Sequence, residues 1–245
     1  MMSLLLAACT TGPGAPFATL EGAELALDLH PTEARDLGDR TLTNEGWEIE
    51  VHGIELAIAS IHVDDLQGAV GVEFDPANPP AGYSLCHGGH CHADSGALVA
   101  YAEIEAELAG GTASFVPVWS FQGPWTVDAL DAGTLQLPVP DEGPDVGQTG
   151  LRRFQIELDH VLVDMTWVEQ DQRVPFALQL QPLPLSSGLE VAVDRFSEPS
   201  LNLSAQLTDG GRLFDDIDFT LSDADQIAAS VTNNFGLVEL DVEIQ

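Results

Sequence analysis

The sequence predicts an all-β fold, an antiparallel β-sandwich carrying short helical insertions. Alternation of apolar and polar side chains with a period of two runs through most of the chain, as it does in half-buried strands. Gly/Pro-rich clusters such as Asp75-Pro76-Ala77-Asn78-Pro79-Pro80, Asp141-Glu142-Gly143-Pro144 and Thr208-Asp209-Gly210-Gly211 interrupt it at intervals suited to turns. Helical patterning is confined to two brief stretches. With 245 residues, 44 % of them apolar, the chain is long enough to bury one substantial core.

In chain order, Trp47-Glu48-Ile49-Glu50-Val51 reads as a strand, and Ile54 to Val63 as a second one following Gly53. Tyr101 to Leu108 holds good helix formers and predicts a short helix, although it also alternates. Phe154, Ile156, Leu158 and Leu162 are placed on one strand face, with Gln155, Glu157 and Asp159 on the other. His160 falls on the apolar face, where a hydrogen-bonded core histidine is expected. Phe176 to Leu180, Leu189 to Val193, Leu201 to Leu207 and Leu237 to Ile244 continue the rhythm. Ser222, followed by Asp223 and Asp225, predicts the N-cap of a short second helix. Trp47, Trp119, Trp125 and Trp167 read as core or rim aromatics. His30, His52 and His62 read as solvent-facing residues of loops and strand ends. Asp215, Asp216, Asp218, Asp223 and Asp225 lack EF-hand spacing and read as a solvated acidic edge. There is no internal repeat, so residues 20–245 are assigned to a single sandwich domain and residues 1–19 to a truncated lipoprotein signal and tether.

That N-terminal assignment rests on Leu6-Ala7-Ala8-Cys9, which matches the lipobox of bacterial lipoproteins, with Cys9 the acylated residue. The apolar stretch before it is short and lacks a basic region, hence the reading of a truncated signal. Gly12, Pro13, Gly14 and Pro16 lie within a tether, Thr10 to Ala18. Thr10 after Cys9 suits sorting to the outer membrane. The expectation is a lipid-anchored protein of the bacterial periplasm or cell surface, in an oxidising compartment.

Charge narrows the partners. Forty acidic residues stand against seven basic ones, all Arg, for a formal net charge of -33. Nucleic acid is excluded as a partner, because binding phosphate requires basic side chains. An anionic lipid surface repels such a chain, which leaves the acyl group as its means of membrane attachment. No apolar run approaches the roughly 20 residues of a spanning helix.

The chemistry is concentrated in Cys86-His87-Gly88-Gly89-His90-Cys91-His92. Gly88-Gly89 is a two-residue hairpin signal, since both residues take positive φ freely. A turn there sets His87 opposite His90, Cys86 opposite Cys91 and Leu85 opposite His92. Alternation then sorts the two cysteines to one face and His87, His90 and His92 to the other. Opposed cysteines with Cα atoms ~4.5–5.5 Å apart can close a disulfide. The three imidazoles, with Asp94 next in phase, form a ligand set suited to Zn²⁺ or Cu²⁺. Three other readings stay open: reduced Cys86 and Cys91 joining the histidines in a soft-metal site, a C-x₄-C-H variant of a haem-attachment signal, and a plain disulfide-closed loop with solvated histidines. Catalytic templates are absent: the chain has no G-x-S-x-G, no H-E-x-x-H and no P-loop. No general base or substrate pocket is legible, so the expectation is a binding protein rather than an enzyme.

Several of these features together resemble a family of exported bacterial lipoproteins related to the methanobactin-associated copper-binding proteins. They are the lipobox at Cys9, the strand entry Asn44-Glu45-Gly46-Trp47-Glu48-Ile49, the Glu55-to-Val63 strand, the His-rich insertion after a Pro-containing loop, and Gly211-Arg212-Leu213-Phe214-Asp215-Asp216-Ile217-Asp218-Phe219. The likeness is spread loosely over residues 20–245. It implies a β-rich exported fold and a role in acquiring copper or another metal beside an outer-membrane transporter. Some relatives hold copper through His and an oxidised Trp; no Trp of this chain is assigned that role, and the Cys/His cluster departs from the family pattern. The function expected from the sequence is therefore a lipid-anchored copper- or zinc-binding protein using a Cys/His hairpin. The alternative is a structural or cell-surface interaction module with a stapled loop.

Overall fold

A computed structural model describes residues 17–30, 40–67, 75–87, 90–94, 98–108, 114–131, 133–139, 145–146, 149–169, 172–193, 197–198, 200–209, 212–220 and 224–245. The side chains of residues 67, 87, 90, 98, 100, 102, 106, 145, 169, 172 and 224 lie outside the description. The chain opens with strands β1 (Ala18–Asp28), β2 (Thr41–Leu42) and β3 (Glu48–Gln67). Three short strands follow, β4 (Tyr83–His87), β5 (His90–Ala93) and β6 (Leu98–Ala100), then helix α1 (Tyr101–Leu108). Next come β7 (Ser114–Asp128), β8 (Gly133–Gln136), β9 (Asp145–Val146), β10 (Thr149–Glu169), β11 (Gln172–Leu180), β12 (Leu183–Val193) and β13 (Ser200–Thr208). Helix α2 (Ala224–Phe235) and strand β14 (Glu239–Ile244) complete it.

The fold is an all-β sandwich, as the alternation predicts. One sheet runs β14-β13-β1-β8, with β9 pairing the start of β1. The other is built on the long pair β3 and β10. β11 and β12 lie end to end along one side of β10, and β7 and β2 along the far side of β3. All pairings described are antiparallel except β1 with β13, which run parallel from Thr19↔Ser200 to Asp28↔Thr208. The inward faces of the two sheets meet in one core. It includes Leu20, Leu25 and Leu27 of β1, Leu203 and Leu207 of β13, and Ile54, Leu56, Ile61, Phe154 and Ile156 of the larger sheet. Helix α2 buries Ile227, Val231 and Phe235, which recur every four residues on one face, and packs on β11.

Three expectations are corrected. The folded domain starts within the stretch assigned to the tether: Ala18 is already buried in β1, and the Phe17 amide donates to the Val146 carbonyl at 2.8 Å. The two stretches divided at Gly53 form a single strand, β3, in which His52 and His62 are interior positions rather than ends. Leu162 and His160 do not share the core face of Phe154, Ile156 and Leu158. Register slips between Leu158 and His160. An extra residue in a strand makes two consecutive side chains point the same way. Asp159 and His160 both turn outward as a result, and the buried positions move to Val161, Val163 and Met165. Leu162 is left 38 % exposed. A matching irregularity at Ala59-Ser60 of β3 moves its inward set from Ile54, Leu56 and Ile58 to Ile61 and Val63. The paired bulges keep one physical face of the sheet apolar while the sequence parity changes.

The second helix spans Ala224–Phe235, and its expected cap, Ser222, lies outside the described residues. The acidic run is engaged rather than merely solvated. The Asn44 side chain donates to the Asp216 carboxylate at 3.0 Å and accepts from the Asp216 amide at 3.0 Å, and the Asn44 amide donates to Asp215 at 3.2 Å. Two segments 171 residues apart are thereby joined.

Candidate functional site

The Cys/His cluster sits in a small third sheet of order β4-β5-β6, apart from the sandwich sheets. The hairpin forms as the Gly-Gly spacing predicts: β4 ends at His87, β5 begins at His90, and these two residues are register partners. Gly88 and Gly89 themselves lie outside the described residues. β5 is the central strand, paired on its other side with β6 through His90↔Ala100, Cys91↔Val99 and His92↔Leu98.

Cys86 and Cys91 are joined in a disulfide, with Cα atoms 4.0 Å apart. The expected register, however, holds only at the tip. Ser84 pairs with His92 and Tyr83 with Ala93, so His92 is not opposite Leu85. The extra residue is taken up between Ser84 and His87, where Leu85 adopts φ 45°. A left-handed backbone is disfavoured for a bulky side chain, and here it throws Leu85 outward to 71 % exposure.

Cys91 is fully buried and Cys86 half-buried. By the alternation of β5, positions 90 and 92 occupy the face opposite Cys91. His92 is half-buried. The side chains of His87 and His90 lie outside the described residues, so the proposed ligand set is described only at His92 and Asp94. Asp94 falls one residue beyond β5, exposed, with its amide donating to the Gly82 carbonyl at 2.9 Å. Among the described residues no group of three or more His, Cys, Asp or Glu is arranged to hold an ion. Cys9 also lies outside the described residues.

Helix α1 braces the base of the hairpin. The Tyr83 hydroxyl donates to the Glu107 carboxylate at 2.6 Å. That bond, together with burial and the charge of Glu107, pushes the phenol up to about 12 and keeps it a proton donor throughout the physiological range. At the other end of α1, burial and then the charge of Glu190 on β12 raise the Tyr101 phenol. The hairpin is therefore mounted on α1 against the edge of the larger sheet.

A second feature was not legible in the sequence. The outer face of the larger sheet carries an open trough of about 560 Å³, lined by Gly53, Glu55, Asp128, Leu162, Asp164 and Gln179 among others. Asp128, Glu55, Leu162 and Gln179 form one cross-strand row over β7, β3, β10 and β11. No short motif marks it, because its residues come from four strands and Leu162 reaches it only through the bulge.

Three further histidines meet neighbouring hydrogen-bonding groups. His30 meets Asp28 at 3.0 Å, His52 meets the Thr166 hydroxyl at 2.8 Å, and His62 meets the Ser60 hydroxyl at 2.9 Å. The tryptophans follow expectation: Trp119 and Trp167 are buried, while Trp47 and Trp125 pack against the core from its rim. Trp47 and Trp167 stack edge-on with ring centroids 5.6 Å apart. No protein family, curated protein or solved structure matches the chain.

Proposed function

We propose that this chain is a lipid-anchored, non-enzymatic protein of the bacterial periplasm or cell surface that binds copper or zinc. His87, His90 and His92 are the proposed ligands, Asp94 is an auxiliary one, and Cys9 is the lipid attachment point. The resemblance to exported copper-binding lipoproteins favours metal acquisition beside an outer-membrane transporter. One observation carries the reading: the disulfide occupies both sulfurs, and the hairpin sets position 87 opposite position 90, with position 92 on the same strand face as 90. Sulfur ligation is thereby removed and imidazole ligation is left, a donor type that suits Zn²⁺ and Cu²⁺. The formal charge of -33 raises the local concentration of cations around the site.

The test is elemental analysis of the untagged full chain, paired with Zn²⁺ and Cu²⁺ titration. One equivalent is expected to bind, and the triple variant His87→Ala, His90→Ala, His92→Ala should reduce affinity at least about 100-fold, as loss of all imidazole donors demands. Titration unchanged in that variant would reject the imidazole site and leave the hairpin as a stapled loop of an interaction module. A second expectation concerns pH. Ligating imidazoles must be neutral, so protons compete with the ion. Affinity should be flat above neutrality and fall progressively below about pH 6.5, the ordinary imidazole range. Affinity constant between pH 5 and 8 would exclude ligation by these residues.

A further inference from the structure

We infer that the Cys86–Cys91 disulfide gates a second metal site in the same hairpin, a two-thiolate site for Cu⁺ that exists only after reduction. This deepens the proposed metal role and rests on it only in assigning metal binding to this hairpin. Three observations support a gate over a structural lock. The cross-link spans only five residues and joins strands that are already hydrogen-bonded neighbours. Such a short closure constrains the unfolded chain far less than a long one does. Next, Cys91 and Ile104 are buried outside the main core, in which the two sandwich sheets meet without them. Opening the bond should therefore be a local event. Finally, Cys86 lies on β4, at the edge of its sheet, and is half-buried, whereas Cys91 is covered. A reductant therefore reaches the Cys86 sulfur first.

The chemistry balances with a dithiol as reductant. One of its thiolates attacks Cys86 Sγ, forming a mixed disulfide and expelling the Cys91 thiolate. Its second thiol then displaces Cys86, giving the cyclic disulfide of the reductant and two protein thiols, a transfer of two electrons and two protons. With their Cα atoms 4.0 Å apart, both sulfurs can converge on one ion. Soft thiolates select Cu⁺ over the divalent ions that imidazole alone would take. Reduction should thus change which ion the hairpin holds.

The test uses the full chain with Cys9→Ser, treated anaerobically with a dithiol that is then removed, and titrated with Cu⁺ against a chelating competitor. Thiol count should rise by two per chain without denaturant, the near-ultraviolet circular dichroism of the sandwich should persist, and one Cu⁺ should bind. In the Cys86→Ser, Cys91→Ser variant Cu⁺ affinity should fall at least about 100-fold, because both soft ligands are gone. Thiols that appear only in denaturant, a sandwich that melts on reduction, or Cu⁺ binding indifferent to the Ser substitutions would each overturn the gate. The His87→Ala, His90→Ala, His92→Ala chain separates the two readings. If it loses divalent binding when oxidised but still takes Cu⁺ when reduced, the thiolate site stands by itself. If the oxidised wild type binds a divalent ion and reduction adds no Cu⁺ site, the gate alone fails.

Discussion

Replacing Arg153 by Met is expected to destabilise the fold by about 3–5 kcal/mol, the usual cost of stranding a buried charge. Asp64 of β3 is 1 % exposed, and its Oδ2 accepts from Arg153 Nε at 2.8 Å and Nη2 at 2.7 Å. The pairing crosses from β10 to β3, where Arg153 and Asp64 are register partners. The guanidinium also lies 3.8 Å above the Phe115 ring of β7, so one side chain ties three strands of the outer face. Met preserves much of the aliphatic packing but removes every donor, leaving the carboxylate without its cation. The double variant Asp64→Leu, Arg153→Met should recover most of the loss, since an apolar pair of similar volume is often as stable as a buried ion pair. Urea unfolding reads both: the midpoint should drop sharply in the single variant at unchanged slope and return in the double. A loss below about 1 kcal/mol in the single variant would mean that water or another group already serves Asp64.

What the sequence made legible was periodic or local. Alternation marked stretches of β3, β10, β11, β12, β13 and β14, and burial follows it closely along β13, whereas β1 and β7 were not read as strands. Gly88-Gly89 located the hairpin, and the flanking cysteines located the disulfide. Legibility failed wherever an extra residue entered a strand, since a bulge has no compositional mark when Asp159 or Leu85 occupies it. His160 and Leu162 were misassigned for that reason, and His92 was given the wrong partner. Glycine is the residue that advertises a left-handed backbone, and Leu at φ 45° gives no such notice. Pairing between distant strands was equally invisible. Nothing in residues 18–28 or 200–208 announces that they run parallel, because register partners 180 residues apart are chosen by the core they share. The clasp of Asn44 on Asp215 and Asp216 belongs to the same class, two motifs read separately that make a single contact in space.

Gly123→Ala should cost about 3 kcal/mol, at the upper end of what overpacking a close contact exacts. A Cβ at this position would sit 2.5 Å from the Ile58 carbonyl oxygen, 2.8 Å from that of Ala59 and 3.1 Å from the Trp125 amide nitrogen. All three are backbone atoms, which cannot swing aside as the end of a side chain can. The contact arises because β7 and β3 slip in register together: Ile58 pairs with Trp125 and Ser60 with Gln122, so Gly123 and Pro124 face the bulge at Ala59. Accommodating a methyl would therefore push β7 off β3 at the level where the inward parity of β3 changes. Gly46→Ala is the matched control: φ there is 85° but nothing lies within 4 Å, so only the conformational cost of roughly 1–2 kcal/mol applies. Urea midpoints rank the two, and hydrogen exchange locates the damage, with protection lost first at the amides of Ser60 and Ile61. Equal losses at Gly46 and Gly123 would show that backbone conformation, not the close approach of two strands, governs the cost of substitution at this bulge.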